Sequence, residues 1–318
     1  MDSLFFFIIL NFFLIRNYFF FANKFKIYDL NNSIKISLLG GVFLIINIFF
    51  LFLFSQLKII EKEFYYEIYS IFLIFSFFIV GFYDDKIKLN PFTRFVLIFL
   101  LLMLFLINSE FLISNINFTF EKSFLIENKI AQIFFTTFCI VAFINALNFF
   151  DGINLQVSIY SILVLTFFSF IKFSFFLLII ILSLFFFLFL NYKNKSFLGD
   201  SGVYILGVII SLTSINLHNS NLLYADEIIF LMFLPGLDMI RLFFQRIINK
   251  KNPFLGDTDH IHHLLKKFFF NRTILITIFL SFFPFLIYKL FIIFKVQIFI
   301  IFVFLYFMMV NLLKKNEY

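Results

Sequence analysis

An all-α, polytopic transmembrane helical bundle is the fold class this sequence predicts, and three observations predict it. Of 318 residues, 63% are hydrophobic and 14% charged, with a mean hydropathy of +1.06; soluble domains run about 45–50% apolar and about 25% charged. Apolar runs of roughly twenty residues recur along the whole chain, each long enough to cross ~30 Å of hydrocarbon as a helix. Lys and Arg also fall unevenly between alternate loops, as a positive-inside bias requires. No stretch is long enough for a separate soluble domain, so residues 1–318 read as a single integral-membrane domain. The net charge of +7 is met by that bias and needs no nucleic acid. The single Cys139 lies in an apolar run, which gives no support to disulfides, Cys-based zinc sites or thioester chemistry.

Taken in order, spans are expected at 4–22, 36–57, 64–82, 94–110, 130–147, 156–171, 173–190, 201–217, 227–247, 273–288 and 296–313. The first follows Asp2 rather than a basic segment, and no small-residue cleavage site follows it, so it reads as a retained span. Residues 156–190 are interrupted only by Lys172 and are split into a tight hairpin; read as one span, they leave ten in place of eleven. With the N-terminus outside and the C-terminus in the cytoplasm, fifteen of the 25 Lys and Arg fall in inner segments and seven in outer ones, Arg16, Arg241 and Arg246 lying inside spans.

The acids separate along the same axis. Asp29, Asp84, Asp85, Asp151, Asp200, Asp238, Asp257 and Asp259 fall at or near the inner face, whereas Glu61, Glu63, Glu67, Glu110, Glu121, Glu127 and Glu227 fall toward the outer one. A solvated face has no reason to prefer the shorter carboxylate, but a site holding a cation close to the backbone does. Gly40, Gly41, Gly81, Gly152, Gly199, Gly202 and Gly256 also stand at inner span ends, where close ligand approach is expected.

Four inner segments carry the chemistry. GFYDDKIKLN (81–90) holds Asp84 and Asp85 with Arg94 following; adjacent carboxylates repel and are normally relieved by a cation or protonated. NALNFFDGINLQ (145–156) places Asn145, Asn148 and Asp151 roughly along one helical face that stops at Gly152, a set suited either to a polar ligand or to a helix cap. FLGDSGVYILG (197–207) puts Asp200 in a Gly-flanked turn that opens a helix, a place for an anion, for Mg²⁺ against a phosphate, or for a plain N-cap. NPFLGDTDHIHHLLKK (252–267) gathers His260, His262 and His263, three of the four histidines, beside Asp257 and Asp259. Zinc is the rival there; without Cys, and with Asp-rich segments opposite, an oxygen-ligated Mg²⁺ and a His-lined polar pocket fit better.

In this order, GFxDD, NAxNxxDG, GDSG and D-x-x-HIHH resemble the polyprenyl-phosphate N-acetylhexosamine-1-phosphate transferases of glycosyltransferase family 4, nearest to the undecaprenyl-phosphate N-acetylglucosaminyl-1-phosphate transferases. PGLDMIRLFFQR (235–246) is similar to the span preceding the histidine segment in that branch. The resemblance implies a Mg²⁺-dependent enzyme (Mn²⁺ as a substitute) of the bacterial cytoplasmic membrane, with its active site facing the cytoplasm. It would pass a sugar-1-phosphate, N-acetylglucosamine-1-phosphate first among the choices, from a UDP-sugar to undecaprenyl phosphate, releasing UMP and starting a lipid-linked surface polysaccharide. Its implied partners are the UDP-sugar, the lipid phosphate and the bilayer, with a homodimer also open. Asp200 is then the leading metal ligand with Asp84 and Asp85 beside it, and Asp84 takes the proton of the lipid phosphate. Asp84, Asp85 and Asp151 are the implied catalytic carboxylates. Asp151 also contacts the nucleotide with Asn148, and Asn145 and Asn154 bind substrate beside them; Asp257, His260, His262 and His263 belong to sugar and diphosphate, and Arg94 and the Lys of the histidine segment to phosphate. The second acid of the family's DGxDG is Asn154 here, followed by Leu155 and Gln156, and Ser37 replaces a Pro before the first Gly-Gly. The alternatives are a phospho-N-acetylmuramoyl-pentapeptide or other UDP-N-acetylhexosamine transferase of the family, a degenerate relative, and a transporter. A transporter expects ionisable groups at mid-membrane, where this chain places few.

Overall fold

The computed structural model describes residues 2–29, 35–59, 68–120, 123–252, 259–291 and 294–315. Every expected apolar segment is helical: α1 (Asp2–Arg16), α2 (Tyr18–Phe25), α3 (Gly40–Gln56), α4 (Ile68–Ile87), α5 (Pro91–Ile107), α6 (Lys129–Phe150), α7 (Gln156–Ile171), α8 (Phe175–Tyr192), α9 (Gly199–Asn219), α10 (Ala225–Leu231), α11 (Phe233–Ile248), α13 (Thr273–Leu290) and α14 (Lys295–Lys315), with α12 (Ile261–Phe269) formed by the histidine segment itself. α6, α8, α9, α13 and α14 are long and apolar enough to cross a membrane. α1 and α2, bent by 65°, form a sixth if taken as one span, and α3, α5 and α7 are shorter apolar helices.

Local chemistry sets the ends. The side chain of Asn90 accepts from Phe92 N at 3.0 Å, with Pro91 at the first helical position of α5. Asn128 caps α6 in the same way, accepting from Ile130 N at 2.8 Å. The hairpin at Lys172 is present, α7 and α8 being separated by residues 172–174. The expected span 227–247 is divided at Met232, because Pro235 has no N–H to return to Leu231. That carbonyl accepts instead from the hydroxyl of the buried Tyr160, at 3.1 Å.

The core is centred on α9, which packs against α3, α4, α6 and α7 and is buried over nearly its whole length. Two short ladders accompany the helices. Ser37–Leu38 (β1) pairs in parallel with Ser196–Phe197 (β4), and Asn115–Ile116 (β2) pairs antiparallel with Phe124–Leu125 (β3). The first ladder brings the starts of α3 and α9 side by side. Ser37, where the resembling pattern has Pro, donates its hydroxyl to Lys195 O at 3.0 Å, and Ser196 Oγ donates to Ser37 O at 3.1 Å.

Candidate active site

Asp84 and Asp85 occupy the last turn of α4, and successive helical residues point about 100° apart. They accordingly serve different neighbours. Asp84 turns toward α5 and α9: Arg94 Nη1 donates to Oδ2 at 3.0 Å, Tyr204 OH to the same oxygen at 3.0 Å, and Leu89 N to Oδ1 at 2.8 Å. Asp85 turns to the start of α9, where Oδ1 accepts from Asp200 N at 2.7 Å and Oδ2 from Ser201 Oγ at 2.6 Å and Ser201 N at 3.1 Å. The carboxylate of the first motif thus caps the helix that the GDSG motif opens, satisfying N–H groups with no partner inside the helix. Gly199 makes the approach feasible. Its φ is +73°, and a Cβ there would lie 2.8 Å from Asp85 Oδ2.

A cavity of about 520 Å³ opens at these helix ends. Asp85 and Lys88 come to it from α4 and its end, Asp151, Gly152 and Asn154 from the α6–α7 turn, Gly199 and Asp200 from α9, and Lys266 from α12. Among the described residues no hydrogen bond reaches the carboxylates of Asp151 or Asp200, in contrast to Asp84 and Asp85. Burial, followed by the charges of Asp200 and Asp85, holds the Asp151 carboxyl well above the usual carboxylate range.

Among the described residues no three His, Cys, Asp or Glu side chains are arranged to hold a metal ion among themselves. A Mg²⁺ ion needs less than that. It is commonly held by one or two carboxylates, with substrate phosphates and water completing an octahedron. Two unengaged carboxylates on the wall of one cavity, with Lys88 and Lys266 on the same wall, fit such a shared site.

Asn154 lines the same cavity with its donors already spent: Nδ2 reaches Asn191 O at 2.6 Å and Asn194 Oδ1 at 2.7 Å, leaving Oδ1 without a partner among the described residues. Asn191 in turn accepts from Leu155 N at 3.0 Å and donates to Ser196 O at 2.9 Å, joining the α6–α7 turn to the segment before α9. Leu155 holds φ +75°, a left-handed backbone that costs a non-glycine residue on the order of 1–3 kcal/mol.

The histidines stand behind this wall. His262 is fully buried against Gly152, with neither ring nitrogen hydrogen-bonded among the described residues, and His260 stacks on it at 5.3 Å between ring centres. Burial, with His263 and His260 alongside, pushes the His262 imidazole down to about 3. Of the residues the sequence selected, Asp85, Asp151, Asn154 and Asp200 meet in the cavity, and His262 backs it. Asp84 and Arg94 pair with each other beside it. Asn145 returns its amide to Val141 O at 2.9 Å; neither it nor Asn148, His260 or His263 lines the cavity. Asp257 lies outside the described residues. Lys88, Asn191, Asn194 and Tyr204 were missed; the first three stand in short polar runs after apolar segments, the one signal available, while Tyr204 sits in an unremarkable span.

Residues 67–218 match the model of glycosyl transferase family 4. That segment is just under half of the chain. The matched residues include Asp84, Asp85, Asp151, Asn154 and Asp200, so three of the four motifs lie within them. The chain is also similar to the undecaprenyl-phosphate alpha-N-acetylglucosaminyl 1-phosphate transferase of Thermotoga maritima, 38% identical over 73 residues. That likeness covers 23% of this chain and 24% of the relative, about a quarter of the relative's length.

Proposed function

We propose that this family 4 membrane protein transfers a sugar-1-phosphate, N-acetylglucosamine-1-phosphate in the first instance, from a UDP-sugar to undecaprenyl phosphate. The single observation that carries the reading is the convergence of three family motifs on one cavity, where Asp151 and Asp200 stand unengaged beside Lys88 and Lys266. In the reaction an oxygen of the lipid phosphate forms a bond to the β-phosphorus of the UDP-sugar. The bond from that phosphorus to the bridging oxygen breaks, and its electron pair leaves on UMP. Both reactants are anions, so the work is positioning and charge neutralisation. Bound Mg²⁺ would supply the larger part of that neutralisation, held by Asp200 with Asp151 alongside. Lys88 and Lys266 hold phosphate oxygens. Asp84 and Asp85 would have to release the hydrogen bonds that join α4 to α5 and α9 before reaching an ion, so their role is to fix Arg94 and the start of α9. Asp151 then stands as the carboxylate placed to take a proton from the lipid phosphate. In the same reading the chain crosses the bacterial cytoplasmic membrane eleven times with its N-terminus outside, and the cavity faces the cytoplasm.

The test is release of UMP by purified protein given undecaprenyl phosphate and, in parallel, UDP-N-acetylglucosamine, UDP-N-acetylgalactosamine and UDP-N-acetylmuramoyl-pentapeptide. Turnover with the first is expected. Turnover with the pentapeptide substrate alone would move the protein to the other branch, and none with any donor would sink the reading.

A further inference from the structure

The first half of α12 is buried and its last turn is exposed on every side. Ile261, His262, Leu264 and Leu265 are buried, whereas Lys266, Lys267, Phe268, Phe269 and Phe270 are all exposed, the three rings by 41%, 45% and 73%. Consecutive helical residues point about 100° apart, so no face of this turn is left against the protein. Lys266 lines the cavity, which places the turn at the end of the bundle where the cavity opens. Phe270 N donates to Lys266 O, and Thr273 Oγ1 donates to Phe270 O at 2.8 Å, tying the turn to the start of α13. α13 is long and apolar enough to cross a membrane, and its exposed Leu275 and Phe279 continue the apolar surface that the three rings begin. Adjacent phenyl rings are costly to leave in water, and hydrocarbon is the cover available where a span begins.

Charge names the partner. Lys267 precedes the rings and Arg272, also exposed, follows them. No Asp or Glu occurs between Asp259 and Glu317, and Asp259 lies 3.8 Å from Lys314 Nζ. We propose that the last turn of α12 is a docking site for an anionic phospholipid of the bilayer. Phe268, Phe269 and Phe270 lie among acyl chains, and Lys267 and Arg272 hold the phosphate of the headgroup. The rings set the depth, because an aromatic turn flanked by cations settles at the boundary of headgroups and acyl chains. The cations set the selectivity, because Lys and Arg beside a span favour lipid of net negative charge over zwitterionic lipid with the same hydrocarbon. Neither these cations nor the rings line the cavity, where the phosphate of a lipid substrate would have to react, so the occupant is a bulk phospholipid rather than that substrate. The inference goes beyond the transferase reading and stands without it.

The chain contains no Trp, so Phe270→Trp puts a single fluorophore into the patch at its most exposed ring. Phe269→Trp is the second reporter if the first does not fold. Full-length protein carrying either is placed in nanodiscs of phosphatidylcholine and phosphatidylglycerol in equal amounts, with quenching brominated acyl chains on one lipid or on the other. We expect both lipids to quench, with phosphatidylglycerol enriched at the Trp on the order of fivefold for each cation engaged. That enrichment should shrink in high salt and disappear in Lys267→Gln/Arg272→Gln, while quenching by brominated phosphatidylcholine remains. Equal quenching by the two lipids in the otherwise wild-type chain overturns the proposal, and so does an enrichment that survives loss of both cations. Quenching by neither lipid overturns it as well, because a second copy of the chain or another protein then covers the rings. Loss of the enrichment on adding a small fraction of undecaprenyl phosphate assigns the surface to that lipid and overturns the choice of phospholipid.

Discussion

The ring of His262 lies so close to Gly152 that any Cβ at position 152 would overlap its Nε2, so the glycine of the second motif is the floor on which the histidine of the fourth rests. Two segments more than a hundred residues apart are fitted to each other at one contact. Gly152→Ala should therefore destabilise the protein by about 1–3 kcal/mol through overpacking, read as a lower melting temperature in detergent. Adding His262→Ala should restore much of that loss. A Gly152→Ala protein as stable as wild type would show that the ring is free to move.

The same ring gives a pH dependence. His262 in the folded protein is held at about 3, below the ordinary 6.5. The unfolded chain therefore takes up a proton that the folded one refuses, and the stability from this site is complete above 6.5 and declines as pH falls below it. Melting measured from about pH 7.5 down to about pH 5 should show a slope that His262→Phe reduces. An identical slope in that variant would place the pH sensitivity elsewhere.

Asp84 and Asp200 should separate stability from activity. Asp84→Asn leaves Arg94 facing a neutral amide in a largely buried pair, a loss of about 3 kcal/mol. Asp200→Asn, whose carboxylate carries no hydrogen bond among the described residues, should melt like wild type while UMP release drops on the order of 10²-fold or more. Activity should also vanish in EDTA and return with Mg²⁺ or Mn²⁺. Substantial turnover by Asp200→Asn would remove it as a metal ligand.

Asn154→Asp should harm the protein rather than restore a family residue. The two donors of Asn154 hold Asn191 O and Asn194 Oδ1, and a carboxylate would set an oxygen against the first. About 1–3 kcal/mol should be lost, with the melting temperature falling before any effect on affinity. An unchanged melting temperature with a shifted KM for the UDP-sugar alone would assign the amide to the ligand.

Orientation is tested with cysteines in a background where Cys139 is replaced. Asn90→Cys and Glu127→Cys both occupy exposed positions. In intact cells an impermeant thiol reagent should label the second and not the first. Labelling of position 90 from outside would turn the cavity away from the cytoplasm.

Hydropathy alone determined the class of this protein, because a run of apolar residues long enough to cross a bilayer has few other uses. The eleven segments became helices or broken helices, and the break at Pro235 follows from a missing N–H. Clustering of Asp and Gly at one set of span ends was likewise enough to mark Asp85, Asp151 and Asp200, which do share a cavity; Asn154, marked only by the family resemblance, lines it too. What only the tertiary structure decided is the direction each side chain takes. Adjacent Asp84 and Asp85 diverge because a helix turns about 100° per residue, and which one meets Arg94 and which one caps α9 depends on where α5 and α9 pack. That Asn191 and Asn194 take up the donors of Asn154 is likewise visible only in the fold. His260 has no visible orienting partner until α11 and α14 bring Asp238 and Tyr306 to it. Hydrogen bonds are short and directional, so their partners are fixed by packing across the bundle, and a one-dimensional pattern carries no record of that.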